Sequence, residues 1–176
     1  EVVYKAQRLM DDLIDIELEQ IDKILQKIED DSEPEFVKLP EKTLWLKIKQ
    51  ACQSGRRTGL GPTALGDTLA ALGIIYGSEE SIEMTEKIYK HLALNSYRSS
   101  INLAKERGSF SCWSYELEKN HDFVGKIIKN LDEDTQKMYK KYGRRNIAIT
   151  TTAPTGSVSV LTQTTSGIEP AYLLSY

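Results

Sequence analysis

One run of this chain reads as a β-strand, and it has no evident partner. Asn146-Ile147-Ala148-Ile149-Thr150-Thr151-Thr152 is rich in β-branched residues, with Ile at alternate positions. Almost every other segment carries the three- and four-residue spacing of a helix. A lone strand does not stand in water. Either strands outside this chain complete its sheet, or the helices form a bundle and the run is not a strand. The first alternative agrees with a chain that opens on Glu1 rather than Met. The chain is therefore expected to be a piece of something longer, although a trimmed start would read the same way.

The helical patterns set the frame. Residues 1 to 30 read as one amphipathic helix, with Val2, Val3, Leu9, Leu13, Ile16, Ile21, Ile24, Leu25 and Ile28 on its apolar side. Asp11, Asp12, Asp15, Glu17, Glu19 and Asp22 are assigned to a solvated face. Residues 30 to 41 hold two prolines and read as a loop, and Glu41 to Gln50 opens a second helix. Arg57 to Leu60 could be a short buried strand. Pro62 suits a first helical turn, and Leu65, Leu69 and Leu72 carry that helix to Gly73. Ser78 to Arg107 is the longest pattern, with Ser78 as N-cap and Gly108 just past its end. Residues 109 to 119 look irregular. Phe123 to Leu131 and Glu133 to Tyr142 read as short helices. His91 and His121 stand apart from other ligand-type residues and are assigned structural roles.

Behind the strand-like run comes Ala153-Pro154-Thr155-Gly156-Ser157, a turn, and then Val158-Ser159-Val160-Leu161, which could start a helix or another strand. A strand, a Pro/Thr/Gly/Ser turn and a helix would present free backbone N–H groups to an anion. GRRTGLG, residues 55 to 61, is neither a Walker A loop nor GxGxxG, and reads as a tight turn between buried elements. Glu169 is assigned to pinning its own loop. Arg144 and Arg145, at a helix end, are more at home on carbonyls and carboxylates than on a ligand.

Charge excludes some function classes. The chain has 23 basic and 26 acidic residues among 176, a net charge of -3, and no basic patch that suggests nucleic acid. No run of 18 apolar residues and no signal-peptide pattern occur. The expectation is a cytoplasmic protein without a membrane partner. Cys52 and Cys112 form no CxxC pair and define neither a zinc site nor a disulfide framework.

Four stretches in this order carry a resemblance: RLMDDLID, GRRTGLGPTALGDTLAALGIIYG, GRRNIAITTTAPTGSVSV and QTTSGIEPAY. Together they resemble the catalytic subunit of ribonucleotide reductase over nearly the whole chain, and most of all its adenosylcobalamin-dependent branch. The resemblance implies an α/β fold, part of a ten-stranded barrel. Residues 1–176 would be the C-terminal half of that catalytic domain, mostly helical with one or two short strands. It implies that Pro154, Thr155, Gly156, Ser157 and Val158 hold the phosphates of a ribonucleotide, diphosphate or triphosphate, with the hydroxyls of Thr155, Ser157 and Ser159 as added donors. It also implies adenosylcobalamin as cofactor, a thioredoxin-type reductant, thiyl-radical chemistry and a possible homodimer.

The chain departs from the family in one respect. The radical cysteine of the family lies in an Asn-x-Cys-x-Glu motif, which is absent here and would precede Glu1. Neither Cys52 nor Cys112 matches a catalytic position, so no catalytic residue is assigned and the isolated segment is expected to turn over nothing. The alternatives are a non-catalytic remnant that keeps the phosphate turn, and a structural helical domain whose apparent strand is a loop.

Overall fold

The structure, a computed structural model, describes residues 1–173. Its helices are α1 (Val2–Asp30), α2 (Glu35–Gly55), α3 (Leu65–Ala71), α4 (Glu79–Arg107), α5 (Tyr115–Glu118), α6 (Asp122–Lys129), α7 (Glu133–Tyr142) and α8 (Gly156–Thr162). The two 29-residue helices, α1 and α4, pack on each other. α2 lies against α1, and α6 and α7 lie against α4.

Local chemistry explains most of the boundaries. Ser78 caps α4 by accepting the Ser81 N–H, and Glu79 and Glu80 sit in its first turn. Asp132 does the same for α7 through the Thr135 N–H. Gly108 and Gly143, both at positive φ, close α4 and α7. Two expectations fail here. α2 starts at Glu35 and runs through Pro40, so the expected loop is mostly helix. Pro62 lies ahead of α3, which begins only after Ala64 turns left-handed.

The main core joins Tyr97 and Ile101 of α4, Val124 and Ile127 of α6, Leu131, Tyr139 of α7 and Ile149. A second cluster, Leu65, Leu69 and Ile74, packs under Met84, Ile88, Tyr89 and Ile168. α1 buries only part of the face its hydrophobic pattern indicates. Gln7, Asp11, Ile14, Ile21 and Ile28 are buried, whereas Val2, Leu9, Leu13 and Ile16 are exposed. Asp11, expected in solvent, has no exposed surface.

The expected α/β class, with one or two short strands of a ten-stranded barrel, is overturned. Among the described residues there is no strand and no sheet, only an isolated parallel bridge between Leu60 and Thr150. The two extended segments do run side by side. Leu60 N–H donates to the Ile149 carbonyl at 2.9 Å, and Thr151 N–H to the Leu60 carbonyl at 3.0 Å. A regular parallel ladder would send the Thr58 N–H to the Ile147 carbonyl. Thr58 instead donates to Ala148, and the Arg144 guanidinium takes the Ile147 carbonyl at 2.8 Å. An arginine thus donates to the carbonyl that the next rung of a regular ladder would use.

At this bridge the backbones come too close for a side chain. A Cβ on Gly61 would sit 2.2 Å from the Thr151 carbonyl oxygen, while one on Gly156 would meet nothing within 4 Å. Gly61→Ala should therefore lower stability by about 1–3 kcal/mol. Gly156→Ala should change it by no more than about 0.5 kcal/mol. Thermal unfolding of the two variants side by side checks the difference.

Candidate functional site

The strand-like segment is anchored from below by a buried polar cluster. Asp11 Oδ1 accepts from Arg56 Nε and Asn146 Nδ2, each at 2.8 Å. Arg56, left-handed at the end of α2, also donates to the Asp11 carbonyl and to Asp15. Asn146 uses both ends of its amide. Its Nδ2 also donates to the Arg56 carbonyl, and its Oδ1 accepts from Ser100 and Gln7. Ser100 in turn receives the backbone N–H groups of Arg145 and Asn146. Burial alone would raise the Asp11 pKa. Hydrogen bonds from Arg56 and Asn146, with the charges of Arg56 and Arg145, outweigh it and hold the carboxyl below the usual range.

Arg144 and Arg145 meet carboxylates and carbonyls, as their place at a helix end suggests. Arg144 pairs with Glu118 and donates to the Asn146 and Ile147 carbonyls. Arg145 donates to the Arg107 and Gly108 carbonyls and lies 3.5 Å from Asp11. Asp11, Asp12 and Asp15 come close enough together to suggest a cation site. Arg56 and Arg107 already pair with them.

Above the cluster, three of the motif stretches converge. Gly66 presses on the segment after 168, so that a Cβ there would lie 2.6 Å from the Glu169 oxygen and from Pro170 Cα. Asp67 accepts the Thr165 N–H at 2.8 Å, and Leu65 donates to the Gly167 carbonyl. Thr63 Oγ1 lies 2.6 Å from Thr155 Oγ1 and 3.2 Å from the Thr165 carbonyl. Glu169 accepts the neighbouring Ile168 N–H, as a loop-pinning residue would.

The five expected phosphate residues lie at the start of α8, with Thr155 as its N-cap. Pro154, Gly156, Ser157 and Val158 are exposed and Thr155 is half-buried. The first-turn amides of Gly156, Ser157 and Val158 donate to no protein acceptor among the described residues. No acidic side chain occupies that turn. The hydroxyls differ from expectation. Thr155 is engaged by Thr63 and by the Gly167 N–H, and Ser159 donates to the Gly156 carbonyl at 2.7 Å. Ser157 alone of the three has no protein partner among the described residues. Sequence reading missed Thr63 and Asp67, although both stand in the quoted GPTALGD stretch.

A family described as "Ribonucleotide reductase, barrel domain" matches residues 1–176. The chain belongs to this ribonucleotide reductase family. It is 30% identical over 131 residues to a vitamin B12-dependent ribonucleoside-diphosphate reductase of Mycobacterium tuberculosis (strain CDC 1551 / Oshkosh), covering 74% of this chain and 16% of that protein. It is 33% identical over 130 residues to the Thermoplasma acidophilum protein of the same name, covering 74% and 14%. A Chlamydia pneumoniae ribonucleoside-diphosphate reductase subunit alpha is 29% identical over 144 residues, covering 72% and 14%. The chain spans about a sixth or less of the length of these relatives. No described helix is long and apolar enough to cross a membrane.

The buried cluster makes this reductase segment sensitive to one carboxylate. Asp11→Asn should cost about 3–5 kcal/mol, because Arg56 loses its buried partner. Asp11 has a lower pKa folded than its unfolded value of about 3.9. Its stabilisation is therefore complete above that value and is lost as pH falls through the folded one. Unfolding free energy measured through the acid range should show a shallower acid limb in the variant than in the wild type.

Proposed function

We propose that this chain is the segment of a ribonucleotide reductase catalytic subunit that holds the substrate's phosphates. The turn 154–158 is the binding element. The observation that carries the reading is the set of amides of Gly156, Ser157 and Val158, which have no protein acceptor among the described residues and belong to exposed residues at the start of α8, in a chain of this family. Three amides at a helix start suit the oxygens of an anion, and the free Ser157 hydroxyl adds a donor. Gly156 keeps that approach open, since none of the described residues lies within 4 Å of its missing Cβ.

A ribonucleoside diphosphate is the proposed substrate, after the names of the relatives. Its reduction by the family's thiyl-radical route replaces the 2′ hydroxyl by hydrogen. Water leaves, and two cysteine thiols become a disulfide that a thioredoxin-type reductant reopens. Those cysteines are assigned to other parts of the enzyme. Cys52 is half-buried with its thiol pKa pushed up by burial and by Glu17, and Cys112 is exposed. The contribution of this chain is to fix the phosphates so that the sugar stays in register with the radical. By itself the segment is proposed to be inactive.

The relatives' names point to cobalamin as the radical source. The residues here do not fit that group. A corrin carries a rim of amide side chains that need polar partners. One groove of about 540 Å³ is lined mainly by apolar residues such as Val2, Leu60, Pro62, Met84 and Ile88, with Lys87 and His91 beside them and little polar surface. His91 and His121 sit on separate elements, α4 and the start of α6. No step is assigned to this chain through the cofactor.

In the full-length protein, Gly156→Val should weaken ribonucleoside diphosphate binding at least tenfold, about 1.4 kcal/mol, while thermal stability stays near wild type. Ser157→Ala should cost less, on the order of 1 kcal/mol. Calorimetric titration with the diphosphate checks both, and unchanged affinity in the valine variant removes the phosphate role.

A further inference from the structure

We infer that Thr63 is a positioning residue for the phosphate turn, acting through a one-way relay of hydroxyls that ends in Thr155. The inference rests on the phosphate reading of residues 154–158 and names what holds that turn in place.

The direction of the relay follows from counting protons. Each threonine hydroxyl has one proton to give. A carbonyl oxygen can only accept, so Thr63 donates to the Thr165 carbonyl at 3.2 Å. Its contact with Thr155, at 2.6 Å, must then use the Thr155 proton. Thr155 Oγ1 accepts the Gly167 N–H at 3.2 Å. The chain of bonds therefore runs from Gly167 N–H to Thr155 to Thr63 to the Thr165 carbonyl. It joins the approach to α3, the N-cap of α8 and the loop after α8. Gly167 is buried and the three threonines are half-buried, so the bonds are only partly open to competing water.

Two consequences separate this from ordinary loop packing. Thr155 has no proton left for a ligand, so its hydroxyl sets the attitude of the next amide, Gly156, instead of touching phosphate. Thr63 is also the only link of the relay on the α3 side. The adjoining contacts reinforce it: Asp67 holds the Thr165 N–H, and Gly66 admits Glu169 and Pro170. Replacing Thr63 by valine keeps its shape and leaves Thr155 without an acceptor.

The experiment uses the full-length enzyme with a ribonucleoside diphosphate as probe. Thr63→Val should raise KM about fivefold to tenfold, the size of one lost hydrogen bond, and change kcat by less than about twofold. Thr63→Ser should stay within about twofold of wild type. Thr63→Ala replaces the valine variant should that fail to fold. A purely structural threonine would lower the melting temperature and leave KM alone, and that result overturns the inference. So does a serine variant as impaired as the valine one. Gly156→Val, run alongside, separates the two ideas. If it weakens binding and Thr63→Val does not, only the positioning role falls. If Gly156→Val leaves binding unchanged, the phosphate reading fails and the inference fails with it.

Discussion

Asp11 is a carboxylate with no exposed surface, and the rest of this architecture depends on how it is satisfied. An ion buried without partners is too costly to keep. Here Arg56 and Asn146 both donate to one of its oxygens. These three residues come from α1, the end of α2 and the start of the strand-like segment. Satisfying one charge therefore fixes three elements at once. A buried pair of this kind is weak evidence for extra stability but good evidence for a unique arrangement, since a slipped register would strand the arginine. Ser100 and Gln7 extend the same logic to α4 and the body of α1.

From that anchor the candidate site follows by short steps. Asn146 sets where the extended segment starts. Arg144 takes the Ile147 carbonyl on one side of the single bridge. Gly61 lets the 58–61 segment approach Thr151, and Gly66 admits the 169–170 backbone. The chain reaches Thr155 with its neighbours already placed, and α8 begins there with three amides that have no protein acceptor among the described residues. In this account a polar cluster and two glycine contacts, more than a hydrophobic core, hold the turn.

Much of the helical frame was legible in the sequence, because caps and terminal glycines act locally. Ser78, Gly108 and Gly143 mark ends that their neighbours alone decide. A break in the chain ahead of a helix was legible near Thr155, although α8 begins at Gly156, inside the expected turn. What was not legible depends on contacts between distant residues. Asp11 looks like one more acid on a charged face until Arg56, 45 positions away, is seen beside it. The β-branched run after Asn146 has a strand's composition, but Arg144 competes for the carbonyl that pairing would need. Thr155 looked like a ligand donor, yet its hydroxyl is in hydrogen-bond contact with Thr63, 92 positions away. Short-range pattern fixes elements, while long-range polar partners decide which side chains are left free to act.

The most direct test is a crystal structure of the full-length protein with a bound ribonucleoside diphosphate. Phosphate oxygens are expected within hydrogen-bond distance of the backbone amides of Gly156, Ser157 and Val158, with the Thr155 hydroxyl still turned toward Thr63. Phosphates lodged away from that turn, with those amides facing only water, would contradict the phosphate role.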